Sequence, residues 1–443
     1  KTGVLTTGAD GKISVSGLTK GVYAFVETEV NANDGYILDS GIAYVFKIGD
    51  NGEMVAATEA DVEGVQKPEN VKSFDTTAFS GAQVKVKNYK PDFKKEITGK
   101  KDADYGIGDD VPYTLTVNVP ENVAKLKTFT VSDEMNSDQL VVNSDIDVKG
   151  KVGEAEETTF KEGTEYTLTI TNAEGKSGFT IAFATDKIAA YAGGTITITY
   201  TAKLQDGASV GAVGNVNSAD LKYSKKTNIT TTEADPPYDI HDEAVVYTFK
   251  TGILKQNEDG EPLKDVEFTL YKKYDAEKDT MNKNGTVKFM GANKTLLTPE
   301  EAAAKKLNAT VSDEPKWFAV MDLKTDADGK AVANGLPTGE YKLVETKTHK
   351  GYNLLTGPVD ANLTLDYTTA WSDTKTFDSN TGELIKHDYN STVVKNGDTP
   401  YSYAEIVIIN RKGFNLPTTG GFGTLLFSGI GVLLVVAGVG VLL

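Results

Sequence analysis

One pattern occurs twice in this chain, and it constrains the fold more than any other feature. Residues 7–28 read TGADGKISVSGLTKGVYAFVET and residues 325–346 read TDADGKAVANGLPTGEYKLVET, with the same spacing and over half of the positions identical. Each copy reads as a tight Asp-Gly turn, a short strand, a Gly-Leu corner and a strand ending in Glu-Thr. A Gly-Tyr pair follows each (Gly35-Tyr36 and Gly351-Tyr352), and both copies close alike, on VKVKN at 84–88 and IVIIN at 406–410. The chain therefore holds two copies of one β-sandwich module. The second copy begins near Tyr247, well before its repeat. By that spacing the first begins upstream of Lys1, which places its opening strand, and any export signal, outside this sequence.

Between the copies the pattern stays β: Thr, Val, Tyr and Gly are abundant, runs such as YTLTVNV at 113–119 and TITITY at 195–200 alternate, and helical periodicity is rare. The expected fold is all-β, a tandem of Ig-like sandwiches, and 443 residues suit two to four domains. The reading divides the chain into a first module at 1–89, a joint at 89–91, a middle module at 92–228, a Pro-containing linker at 229–242 and a third module at 243–412. One helix is expected in an insert of the third module, from Pro299 to Leu307, with Thr298 as N-cap and Glu300 and Glu301 in the first turn. A net charge of −17 argues against nucleic acid and anionic membrane surfaces. The absence of Cys excludes disulfide staples, and three scattered histidines give no His-rich metal site. No phosphate loop, nucleophile elbow or cofactor motif stands out, so no cofactor or metal is expected. Asp326-Ala327-Asp328-Gly329 lacks the rest of a calcium loop and reads as a type I′ turn.

Strand parity isolates the chemistry. Residues i, i+2 and i+4 of a strand share a face. In the third module Lys255 shares a face with Phe249 and Ile253, Glu345 with Tyr341 and Leu343, and Asn410 with Ile406 and Ile408. In the middle module Lys95 goes with Phe93 and Ile97, Asp133 with Phe129 and Val131, and Asn217 with Val213, Ala219, Leu221 and Tyr223. The first module shows Glu27 beside Tyr23 and Phe25, and Asn88 beside Val84 and Val86. Apolar partners mark each face as core, yet burying an unpaired ammonium or carboxylate costs several kcal/mol. Lys94, Asn215 and Glu134 are close alternatives in the middle set.

The C-terminus adds a second signal. Leu416-Pro417-Thr418-Thr419-Gly420 precedes an uncharged run at 421–443, long enough for a membrane-spanning helix. An LPXTG pentapeptide before a terminal span resembles the sorting signal of Gram-positive surface proteins. The YKLVET box at 341–346, its copy VYAFVET at 22–28 and the strand NSADL at 217–221 resemble pilins and adhesins built from CnaB-type, CnaA-like and related fimbrial isopeptide-forming domains. The whole is most similar to a sortase-assembled major (backbone) pilin subunit.

That resemblance implies a shaft subunit rather than an enzyme. A pilin-specific sortase would cut between Thr419 and Gly420 and join the Thr carbonyl to a lysine of the next subunit, giving a head-to-tail homopolymer. A housekeeping sortase would then fix it to peptidoglycan. The route runs through a transient membrane-inserted precursor to a cell-wall pilus, with a host surface ligand as a further partner and no nucleic acid. It further implies that Lys255 and Lys95 attack the Asn410 and Asn217 amides, that Asn88 is the first module's acceptor, and that Glu345, Asp133 and Glu27 are the catalytic acids. A desolvated lysine is a neutral nucleophile, and folding supplies the proximity. A bridge closing a loop of about 100 residues removes roughly 4–5 kcal/mol of unfolded-state entropy, by analogy with a disulfide. For the intermolecular acceptor the family's YPKN motif is missing; Asn88-Tyr89-Lys90-Pro91 stands in its place, which points to Lys90 with Lys85 and Lys87 as rivals. The terminal span of this signal normally ends in basic residues, and here the sequence stops at Leu443. The alternative is a monomeric wall-anchored adhesin or minor pilin that binds a host ligand.

Overall fold

The computed structural model describes residues 3–30, 34–211, 213–275, 296–297, 299–307, 317–363, 367–379, 384–395 and 404–413. The described chain is all-β apart from short helices, and it divides into two compact units. One comprises residues 1–248, 335–337 and 366–401; the other comprises 249–334, 338–365 and 402–443.

In the first unit, the N-terminal module is a small sheet in which Gly21–Val26, Ile42–Ile48 and Met54–Ala56 pair antiparallel and Ser73–Asp75 joins Ile42–Ile48 in parallel. Tyr23 and Phe25 stack on Phe46 of the neighbouring strand, which turns Glu27 to the same side. Two expected strands are not formed among the described residues. The 12–15 stretch and the 84–88 stretch carry no ladder, and Phe79 makes only an isolated bridge to Val84. The physical reason lies in the other copy. There the corresponding strands, Lys330–Leu336 and Ala404–Asn410, flank Phe249–Asn257, and the described residues of the first module hold no equivalent central strand.

The middle module is a sandwich of two larger sheets. Thr195–Leu204 sits inside one of them, with Ile196, Ile198, Tyr200, Ala202 and Leu204 buried and the intervening residues turned outward. Asp110–Asn118 pairs with it, and Asp92–Ile97 continues the sheet, so Lys95 sits opposite Leu115 on the buried side. The facing sheet carries Phe129–Met135 between Lys176–Phe183 and Asn215–Tyr223. Asp133 and Asn217 point from it into the same core as Lys95. Val213 departs from the expected parity: it precedes the strand and is 77% exposed.

The boundaries differ from the sequence reading. Tyr238–Tyr247 is a strand paired with Asn215–Tyr223 from Tyr238↔Tyr223 to Val246↔Asn215. The expected linker at 229–242 thus ends inside a strand of the middle module, and the module runs through Thr248. The hairpin Tyr367–Phe377 and Leu384–Lys395, expected within 243–412, extends the same sheet through a parallel pairing of Leu384–Lys395 on Tyr238–Tyr247. An unpaired sheet edge recruits whatever strand is near, and a strand of twelve residues offers a long one.

The first and middle modules share more than a joint. Leu38 and Lys226 form a parallel bridge, the Tyr223 hydroxyl donates to the Gly35 carbonyl at 2.8 Å, and the Thr227 hydroxyl donates to Asp39 Oδ1 at 2.8 Å. The second unit is a sandwich of a three-stranded sheet, with Phe249–Asn257 at its centre, and a five-stranded sheet containing Glu267–Lys273 and Tyr341–Lys347. Its helix is shorter than expected, Pro299–Ala304, with Glu300 and Glu301 in the first turn. The expected cap Thr298 lies outside the described residues.

Gly178 shows how tightly the middle sandwich holds its acid. A Cβ there would lie 1.9 Å from the Asp133 carbonyl oxygen. We expect Gly178→Ala to push the Asp133 strand aside and to destabilise the protein by about 1–3 kcal/mol, read from chemical denaturation midpoints; an unchanged midpoint would show that the strand can move freely.

Candidate functional site

In the second unit, Lys255, Glu345 and Asn410 converge from three strands. Phe249–Asn257 and Ala404–Asn410 run parallel with Lys255 opposite Ile408 and Asn257 opposite Asn410, so Asn410 lies two residues past the partner of Lys255 on the same face. Glu345 comes from the opposing sheet. The Lys255 ammonium nitrogen donates to Asn410 Oδ1 at 2.5 Å and lies 3.9 Å from Glu345 Oε1. Asn410 Nδ2 donates to Glu345 Oε1 at 2.6 Å and to Thr348 Oγ1 at 2.6 Å, while Glu345 Oε2 accepts the Leu355 N–H at 2.8 Å. Lys255 is fully buried and Asn410 is 1% exposed. Burial pulls the Lys255 amine down to about 8, with the Glu345 charge acting against it. A nucleophilic nitrogen, an amide carbonyl and a carboxyl on the amide nitrogen are thus assembled in a dry interior.

The middle module brings Lys95, Asp133 and Asn217 together around a fourth residue. Lys95 pairs directly with Asp133 Oδ2, and its nitrogen also donates to the Tyr200 hydroxyl at 2.7 Å. That hydroxyl donates to Asp133 Oδ2 at 2.5 Å and accepts from Asn217 Nδ2 at 3.1 Å. Tyr113 stacks on Tyr200 with ring centroids 5.3 Å apart, and the Lys95 nitrogen lies 5.0 Å from the centre of the Tyr113 ring. Burial drives the pair toward neutrality from both sides, lowering the Lys95 pKa and raising that of Asp133 against their mutual attraction. Asp133 Oδ1, Asn217 Oδ1 and the Tyr113 hydroxyl are buried without hydrogen-bond partners among the described residues. Groups left so are costly in a core and concentrate where chemistry is done.

The alternatives sort themselves by environment. Lys94 is exposed and paired with Glu96, and Glu134 is exposed and paired with Lys176. Asn215 is buried, but its amide is spent on the backbone of Ser209 and Val246. Sequence reasoning missed Tyr200 and Tyr113, and also Asp242, whose carboxylate accepts the Lys95 backbone N–H at 2.7 Å. Parity alone could have found the tyrosines, since each shares the inward face of its strand with apolar residues.

In the first module Asn88 Nδ2 donates to Glu27 Oε1 at 2.7 Å, the contact that Asn410 makes with Glu345. Burial raises the Glu27 pKa. Lys90 is exposed; its nitrogen donates to the Asp34 carbonyl at 3.2 Å and lies 4.9 Å from the centre of the Tyr36 ring. Lys85 and Lys87 are exposed as well. The pentapeptide Leu416–Gly420 and the apolar run 421–443 lie outside the described residues. In the 326–329 turn Gly329 alone takes a positive φ, 72°, so the turn is type I followed by a left-handed glycine rather than type I′. The Asp326 carboxylate is occupied by the N–H groups of Asp328 and Lys330. Among the described residues no group of three or more His, Asp or Glu is placed to hold a metal.

A family model described as SpaA, a prealbumin-like fold domain, matches residues 1–61 and 249–375. The chain is 24% identical over 452 residues to the trypsin-resistant surface T6 protein of Streptococcus pyogenes serotype M6, across 88% of this chain and 74% of that one. Among solved structures it is similar to the T6 backbone pilin of the same serotype, with a TM-score of 0.50 and 20% identity across 90% of this chain and 81% of that one. It is also similar to BcpA, the major pilin subunit of Bacillus cereus, with a TM-score of 0.49 and 18% identity across 92% and 90%. The likeness to the T6 structure is one of fold.

The depressed Lys255 pKa makes a signed prediction for the unlinked side chain. In Asn410→Ala the amine has no amide to join. With a folded pKa near 8 and an unfolded one of about 10.4, the unfolded chain holds more protons across that window, so stability should rise with pH between them. Melting temperatures of the variant at three pH values through the window test this; a flat or falling trend contradicts a desolvated amine.

Proposed function

We propose that this chain is a backbone subunit of a cell-surface pilus, polymerised by sortase and strengthened by isopeptide bonds that it forms within itself. The observation that carries the reading is the buried trio of Lys255, Asn410 and Glu345, ordered as such a reaction requires. Lys255, as a neutral amine, bonds to the Asn410 side-chain carbon. The bond from that carbon to Nδ2 breaks, and the nitrogen leaves as ammonia. The Glu345 carboxyl already touches the departing nitrogen, so it can take a proton from the amine side and return one to the leaving group. The product amide is neutral, which removes the cost of a charge in the core. Lys95, Asn217 and Asp133 do the same in the middle module. Relatives named as a surface protein and a backbone pilin support the shaft role.

Assembly follows from the sorting signal. Sortase joins the Thr419 carbonyl to an amine of the next subunit, for which Lys90 is our choice. Tyr36 and the Asp34 carbonyl hold that lysine at the surface, where an enzyme can reach it. The last subunit is fixed to peptidoglycan in the same way. The protein is a substrate of sortase, and its own chemistry is a single turnover.

Intact mass and peptide mapping of the recombinant chain should show two ammonia molecules lost, one linking the Lys255 and Asn410 peptides and one linking those of Lys95 and Asn217. Glu345→Ala should restore one of them and lower the melting temperature. A mass equal to the unmodified sequence would rule out self-linkage.

For polymerisation, Lys90→Arg keeps the charge but removes the amine nucleophile. It should abolish the high-mass ladders that survive boiling in detergent when pilin-specific sortase is present. Persistent ladders would move the acceptor to another lysine.

A further inference from the structure

The two complete sites differ at the atom that must leave. In the second unit the carboxyl of Glu345 touches Asn410 Nδ2 directly. In the middle module the acid is an aspartate, one methylene shorter, and the group that meets Asn217 Nδ2 is the Tyr200 hydroxyl, at 3.1 Å. The same oxygen lies 2.7 Å from the Lys95 nitrogen and 2.5 Å from Asp133 Oδ2. It therefore touches the attacking nitrogen, the acid and the departing nitrogen at once. Among the described residues of the second unit no hydroxyl bridges all three groups in this way: Thr348 Oγ1 meets Asn410 Nδ2 at 2.6 Å, and the longer Glu345 side chain reaches that nitrogen by itself.

We propose that Tyr200 is a catalytic residue of the middle module, a proton relay that extends the reach of Asp133 to the leaving amide nitrogen. This deepens the isopeptide reading and rests on it. As Lys95 bonds to the Asn217 side-chain carbon, the Tyr200 hydroxyl proton passes to Nδ2 and the protonated Asp133 replaces it on the tyrosine oxygen. The carbon–Nδ2 bond breaks to release ammonia, and one N–H proton of the former amine passes to the Asp133 carboxylate. One proton enters the acid and one leaves it, so both residues end as they began. Burial raises the Tyr200 pKa well above its ordinary value, which suits a hydroxyl that never persists as phenolate. The ring is held for the task, stacked on Tyr113 and edge-on to Phe179 at 4.9 Å.

The second unit supplies the control, because Glu345 meets Asn410 Nδ2 there with no tyrosine between them. The experiment uses the full chain made by cell-free synthesis, quenched in acid at intervals and mapped by mass for ammonia loss at each site. Tyr200→Phe keeps the ring and should slow linkage of Lys95 to Asn217 by about a hundredfold, the lower range for a positioned proton-transfer group. Linkage of Lys255 to Asn410 in the same molecules should keep its rate, which reports on folding. A Tyr200→Phe chain that links its middle module as fast as wild type overturns the relay but leaves the isopeptide reading standing. A wild-type chain that never links Lys95 to Asn217 overturns the reading itself. If Tyr200→Phe makes the middle module protease-sensitive, 3-fluorotyrosine at residue 200 decides. This near-isosteric, more acidic phenol should change the linkage rate, and an unchanged rate overturns the relay.

Discussion

A lysine nitrogen kept from water is the constraint around which both sandwiches are built. Each supplies a pocket in which burial shifts the balance from ammonium toward amine, and each must satisfy the nitrogen with very few polar atoms. Lys255 is given one amide oxygen and a carboxylate slightly too far away to be a close salt bridge. Lys95 is given a carboxyl and a phenol between two aromatic faces. Either arrangement, left unreacted, stores an expensive polar cluster inside an apolar core. Converting it to an amide turns a liability of the fold into a cross-link, so stability and chemistry point the same way.

The strand positions explain why the proposed cross-link would have mechanical value. Lys255 and Asn410 lie on adjacent parallel strands at opposite ends of their module's sequence. Lys95 and Asn217 lie on facing sheets, so a bond between them would cross the core rather than run along a ladder. With the proposed bonds formed, a load entering either module would meet a covalent path across it before it could shear the hydrogen bonds in between. This suits the proposed pilus subunit, a chain that has no cysteine with which to build disulfides.

Much of this is legible in the sequence, because a strand has a period of two. Phe249, Ile253 and Tyr341, Leu343 were enough to turn Lys255 and Glu345 inward, and the repeat linked Asn88 with Asn410. The part that could not be read belongs to pairing. Val213 fits the period of Asn217 yet sits outside the strand, because the ladder begins only at Asn215. Residues 84–88 have the alternation of a strand, but alternation creates no ladder without a neighbour. Residues 238–242 follow two prolines and read as the end of a linker, with 243–247 opening a new module, whereas the hydrogen bonds of Tyr238–Tyr247 return to the middle sheet. Tyr200 was visible as an inward residue of a good strand; only the register that places it against Tyr113 and beneath Lys95 gives it a chemical task.

The shared Asp39 has a consequence of another kind. Its carboxylate accepts from Tyr44 within the first module and from Thr227 at the far end of the middle one, and Lys125 completes the cluster. The partners lie on both sides of the 89–91 joint, which is where sequence alone would divide the chain. A recombination event that exchanged the first module at Pro91 would separate Asp39 from Thr227 and leave a foreign surface against residues 223–228. Lineages that reshuffle these modules must therefore carry the two distant segments together, or accept a loosened neck between them.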